Sequence, residues 1–141
     1  MTELIKQRNM TDCGICCLAM CFSVTYEEIL SRAEDYVFRL SWGCDKGLAT
    51  IEERQIVESF GHAVRSLIWW HFENNGGDFW RALEGNRALL SVPSLNIEDG
   101  LHLVYWDGTK LLDPSNLKTY TRETIPKQCR AFIIMPAEAA A

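Results

Sequence analysis

Proline is scarce in this chain and absent before Pro93; the others are Pro114, Pro126 and Pro136. A thioredoxin-like redox centre needs a proline loop facing its CxxC pair. None stands near Cys13-Gly14-Ile15-Cys16, and the polar Gln7–Thr11 stretch before that pair does not read as the strand such a centre requires. Basic clusters are missing as well. Asp and Glu outnumber Lys and Arg by 19 to 14, for a formal charge of -5. No basic run offers an electrostatic footprint for nucleic acid or an anionic membrane, so neither partner is expected. No apolar run is long enough to span a bilayer. The opening Met1-Thr2-Glu3-Leu4-Ile5-Lys6 has no apolar core of signal-peptide kind, so a cytoplasmic protein is the expectation. Histidine is limited to His62, His71 and His102, and Cys44 and Cys129 lie far from the cysteines at 13, 16, 17 and 21. No second pair at zinc spacing accompanies Cys13 and Cys16, so neither a metal nor another cofactor is expected. Crowding four thiols into one short segment is also unlike a disulfide framework, which spreads its cysteines to staple separate loops. Most thiols are expected to be reduced.

What the chain does have is a core. Nearly half of its 141 residues are hydrophobic, including 5 Trp, 6 Phe and 4 Tyr. That suits one domain, expected over 1–136, with the Ala-Glu-Ala-Ala-Ala end at 137–141 frayed. Thr11-Asp12 offers capping oxygens before an apolar run, predicting a buried helix over about Cys13–Phe22. Thr25 and Glu28 have capping-box spacing, predicting a helix over Tyr26–Glu34. Residues 36–49 read as a loop. Thr50 and Glu53 repeat the box, Ile51, Ile56, Val57 and Phe60 trace one face, and Gly61 supplies the stop. β-branched and aromatic residues predict a strand over Ala63–Trp70, and Asn74-Asn75-Gly76-Gly77 reads as a turn before a short helix at Asp78–Glu84. Ala88–Val92, Leu101–Trp106, Lys110–Leu112 and Ala131–Met135 are strand candidates, with Asp107-Gly108 a strong hairpin signal. Helices first and mostly antiparallel strands later give an α+β fold.

Cys13 falls where the first helix begins, and the free N–H groups and dipole there favour an anionic sulfur, the nucleophilic form. Cys16, Cys17 and Cys21 lie deeper and read as small apolar core residues. A cysteine nucleophile needs a base and a group that orients the base. His102 starts a predicted strand and Asp113 closes the next, so a hairpin can bring them side by side; a buried histidine with a structural hydrogen bond is the plainer alternative. His62 reads as a surface or capping group, and His71 has no carboxylate nearby in sequence. Trp42, Trp69, Trp70 and Trp80 suit either a groove or, more commonly, a core.

The segment Gln7-Arg8-Asn9-Met10-Thr11-Asp12-Cys13-Gly14-Ile15-Cys16-Cys17-Leu18-Ala19-Met20 resembles the active-site segment of the double-glycine leader peptidases, papain-like domains that trim bacteriocin precursors. Leu101-His102-Leu103-Val104-Tyr105 and Leu112-Asp113-Pro114-Ser115 resemble their histidine strand and Asp-Pro turn. Two departures stand out: Cys16 replaces a small residue, and the interval from His102 to Asp113 is shorter. The resemblance implies a papain-like fold of N-terminal helices on a mostly antiparallel sheet. It also implies a cysteine peptidase or isopeptidase that takes a peptide or protein substrate. In it Cys13 is the nucleophile, His102 the base, Asp113 the orienting group and Gln7 the oxyanion donor. Relatives that cut bacteriocin leaders are usually fused to a membrane transporter; a free-standing enzyme of bacterial or phage origin is the expectation here. Thiol–disulfide exchange through Cys13 and Cys16, or peptide binding without catalysis, are the alternatives.

Overall fold

The computed structural model describes residues 2–36, 48 and 50–137. The expected loop at 36–49, with Trp42 and Cys44, falls almost wholly outside them, as does most of the 137–141 tail. Helices α1 (Cys13–Phe22), α2 (Tyr26–Tyr36) and α3 (Thr50–Ser59) come first. The sheet follows: β1 (His62–Ile68), β2 (Ala88–Pro93), β3 (Leu101–Trp106), β4 (Leu111–Leu112) and β5 (Arg130–Pro136), with α4 (Trp69–Asn74) and α5 (Phe79–Leu83) between β1 and β2. The strands lie in the order β1-β5-β2-β3-β4, and every pairing is antiparallel. The last strand thus sits near the middle, with Ile133 opposite Arg65 on one side and Ala88 on the other.

Both faces of this sheet are covered, which is why its strands read as nearly continuous apolar runs. Successive residues of β3 point to opposite faces. Leu103 and Tyr105 join Leu89, Phe132 and Ile134 beneath α1 and α3. Val104 and Trp106 join Leu90, Val92 and Ala131 beneath Trp69, Phe79 and Leu83. Helix α1 is buried from Gly14 to Cys21, as expected of a helix apolar on all sides. Full burial of one side chain such as Leu18 stabilises the fold by about 1.5–3 kcal/mol. Among the described residues no single helix is long and apolar enough to cross a membrane.

Local signals explain most boundaries. Thr25 Oγ1 accepts the Glu28 N–H at 3.1 Å, half of the expected capping box. Gly61 ends α3 at φ +77°, a conformation that costs glycine nothing. Asp107 Oδ1 accepts from the Thr109 and Lys110 N–H groups, both at 2.9 Å, and builds the predicted hairpin turn.

Three expectations need correction. The strand predicted to reach Trp70 stops at Ile68, and Trp69 begins α4. Two contacts turn the chain there: Trp69 N–H donates to the Cys129 carbonyl at 3.2 Å, and the Trp69 ring stacks on Phe79 at 4.4 Å. Tertiary packing overrides β propensity at this point. Asp12 occupies the N-cap position of α1 without capping it. Glu53 makes no capping bond among the described residues and is instead buried.

Candidate active site

The loop before α1 is tied down from both ends. Asp12 accepts the Arg8 N–H at 3.0 Å, the Asn9 N–H at 3.3 Å and the Tyr26 hydroxyl at 2.7 Å. These bonds fold residues 8–12 into a compact turn that delivers Cys13. Gln7 N–H donates to the Pro114 carbonyl at 2.8 Å, and Asn116 Nδ2 donates to the Gln7 carbonyl. The N-terminal segment is therefore strapped to the turn that carries Asp113. The helix itself is pinned to β3. Leu103 N–H points at Cys13 Sγ at 3.4 Å, and one turn later Cys17 Sγ donates to the Leu103 carbonyl at 3.3 Å.

His102 is 8 % exposed, and so is Asp113. The imidazole Nε2 lies 2.7 Å from Asp113 Oδ1, so Nδ1 is the nitrogen left for the thiol. Asp113 is held in turn by the Ser115 N–H at 2.9 Å and the Tyr120 N–H at 2.6 Å. Burial pushes the His102 pKa down, but the hydrogen bond to Asp113 and the nearby Asp113 and Cys13 side chains prevail and raise it to about 9. Burial likewise favours the neutral Asp113, yet the His102 bond and the two backbone donors bring its pKa below the ordinary value. Both shifts favour an imidazolium paired with the Asp113 carboxylate.

Gln7 is buried beside this pair and shares a depression with His102, Ser115 and Asn116. Its Nε2 donates to the Asn9 carbonyl at 2.8 Å, while Oε1 is buried with no partner among the described residues. Exchanging the two atoms would set oxygen against oxygen, so that contact fixes the amide orientation. One Nε2 hydrogen serves Asn9; an amide nitrogen carries a second.

Cys13, Thr11, Ser91, Leu101 and His102 line one open cleft of about 500 Å³. No tryptophan lines it among the described residues: Trp69 is in the core, and Trp70 is 53 % exposed elsewhere. His62 binds the Phe60 carbonyl at 2.9 Å and meets Arg87; His71 lies on α4. Neither lines the cleft. Cys16 is fully buried, and burial pushes its thiol up to about 12. Burial and a raised pKa lower the thiolate fraction of Cys16, which slows it as an attacking thiol. Among the described residues no group of three metal-binding side chains could hold an ion.

Sequence reasoning missed the backbone groups that fix Asp113 and the Leu103 N–H that faces Cys13. The first had a signal: Asp-Pro-Ser is a sequence in which a carboxylate can accept the N–H two residues on. The second had none, because it depends on how α1 docks.

No profile of a known protein family and no curated protein sequence matches the chain. Solved structures do resemble it. One is a double-glycine-motif protease from an AMS/PCAT transporter, solved in complex with the leader peptide; it is 13 % identical with a TM-score of 0.59 over 96 % of this chain and 92 % of that one. Another is the peptidase domain of Streptococcus ComA, a bi-functional ABC transporter involved in a quorum-sensing pathway, at 16 % identity and a TM-score of 0.56 over 96 % and 99 %. The chain has the α+β, papain-like fold of these double-glycine peptidase domains.

Proposed function

We propose that residues 1–136 form a single cysteine peptidase or isopeptidase domain that hydrolyses a peptide or amide bond through a thioester. The observation that carries this reading is the short His102–Asp113 contact at 2.7 Å, with the imidazole lining the same cleft as Cys13. In the reaction, the Cys13 proton resides on His102. The thiolate attacks the carbonyl carbon, and the oxyanion is met by the free Gln7 Nε2 hydrogen and the Cys13 N–H, an unpaired donor of the first helical turn. The C–N bond then breaks as His102 protonates the departing amine. Water attacks the thioester, giving its proton to His102, and Cys13 leaves as the acid forms. Asp113 keeps the imidazole oriented throughout and stabilises its charged form each time it arises. The free thiols of Cys13, Cys16, Cys17, Cys21 and Cys129 suit a reducing compartment, and we assign the protein to the cytoplasm.

A quenched fluorescent peptide library tests the reading. Cys13→Ala should abolish cleavage, and Cys16→Ala should retain most of it. Equal loss in both variants would refute hydrolysis through Cys13 alone.

A further inference from the structure

One ionisable side chain in the cleft has no task in the proposed reaction. Glu53 lies in the first turn of α3, on the buried face that also holds Glu52, Ile56 and Val57. It is 9 % exposed and lines the cleft together with Cys13, Gly14, Thr50 and His102. Its Oε2 would stand 3.3 Å from a Cβ placed on Gly14, the residue after the nucleophile. The carboxylate therefore lies against the helix turn that bears the reactive sulfur.

Among the described residues Glu53 has no hydrogen bond or ion pair. Arg54, next to it in sequence, is exposed and forms no ion pair with it. No lysine or arginine is found among the described residues lining the cleft. Burial, with Glu52 adding to it, raises the Glu53 pKa to about 8. A buried carboxylate without a partner is costly, and it stays largely neutral unless a cation from outside the chain pairs with it. A leucine here would continue the Ile56–Val57 stripe and fill the same space without that cost.

We infer that Glu53 is a specificity-determining residue that receives the cationic side chain of a lysine or arginine in a peptide bound across the Cys13 cleft. The inference rests on the peptide-cleft reading above and adds a substrate class to it. A bound ammonium or guanidinium favours the ionised carboxylate and forms a charge-assisted hydrogen bond screened from water. A site built for a charged donor rejects an analogue that lacks the donor, because its buried group is then left unpaired.

The test separates binding from cleavage. Blocked seven-residue peptides of Gly, Ala and Leu carry a single lysine moved through each position; a matched set carries norleucine, which has the same carbon chain without the ammonium. Binding is measured by calorimetry on Cys13→Ala and on Cys13→Ala with Glu53→Gln or Glu53→Leu. The lysine peptide should bind about tenfold or more tightly than its norleucine match at one position. That ratio should fall to about one in both double variants, of which the leucine form keeps the apolar face intact should glutamine disturb folding. Cleavage of the same peptides by the unmodified protein is followed in parallel. A lysine preference that depends on Glu53 without cleavage would uphold this inference and defeat the peptidase reading. Cleavage with no lysine preference, or with a preference that survives both Glu53 variants, would overturn the inference and leave the peptidase reading standing. Failure of every peptide to bind Cys13→Ala would overturn the inference as well.

Discussion

The two faces of the sheet are closed in different ways. On one face α1 and α3 cover Leu89, Leu103 and Tyr105, and at the end of β3, beside the start of α1, stand Cys13, His102 and Asp113. On the other, Phe79 stacks on Trp69 and meets Trp80, which in turn contacts Trp106 at 5.0 Å. Polar groups fare differently in the two regions. Asp113 has three hydrogen-bond partners in spite of burial, whereas the buried Trp69 Nε1 has none among the described residues. The thiols follow the same division. Cys13, half-buried, accepts from a backbone N–H and shares its cleft with an imidazole. Burial pushes Cys129, in the aromatic core, up to about 12 and Cys21, deep in α1, up to about 11. One residue type thus meets an apolar core in one region and polar neighbours in the other, and the neighbours of Cys13 come from a distant part of the chain.

If this division is right, damage to the polar edge should cost activity and damage to the aromatic face should cost stability. The largest effect is expected from Asp113→Asn. It removes the charge that helps hold His102 protonated, and kcat/KM on a cleaved peptide should fall about a thousandfold. The pH profile sharpens the point. His102 has its pKa raised to about 9, so the ion pair contributes fully below the ordinary histidine pKa and is lost as pH rises through about 9. Asp113 is shifted the other way, and its contribution is lost only as pH falls below the ordinary carboxylate range. Activity should therefore hold through neutrality and decline near pH 9, and Asp113→Asn should move that decline to lower pH. An unmoved alkaline limb would detach Asp113 from the base.

On the aromatic face, Phe79→Ala removes a fully buried ring. It should cost about 3–5 kcal/mol, seen as a fall in Tm of about 10 °C, with the alkaline limb of activity unchanged in the protein that remains folded. A shifted limb would show that the two faces are coupled. The smallest effect belongs to Cys16→Ala, which leaves a small void in α1. It should lower stability by about 1 kcal/mol in denaturant titration and leave the pH profile in place.

The sequence disclosed these regions unequally. Local chemistry was legible: Thr25 caps α2, Asp107 folds its hairpin, and Gly61 stops α3 as its left-handed backbone allows. The His102 and Asp113 pairing was legible through the short hairpin, and the resemblance ranked Cys13 above the other thiols. Asp12 misled because its carboxylate had three nonlocal or upstream donors to choose from, and these outcompeted the cap. Trp69 misled because only the assembled core shows Phe79 waiting for its ring. The central place of β5 was equally hidden, since no nearby residue specifies that the last strand will separate β1 from β2. Glu53 matched a capping pattern, but helical spacing alone does not say which face meets a cleft.

The central claim is that Cys13 is activated by His102. Competitive alkylation with a limiting amount of iodoacetamide at neutral pH, followed by peptide mapping of all six cysteines, tests it most directly. Cys13 should be labelled first by a wide margin, and His102→Ala should slow its labelling while leaving the other thiols as they were. Preferential labelling of Cys44 or Cys129, or a Cys13 rate indifferent to His102→Ala, would contradict the account.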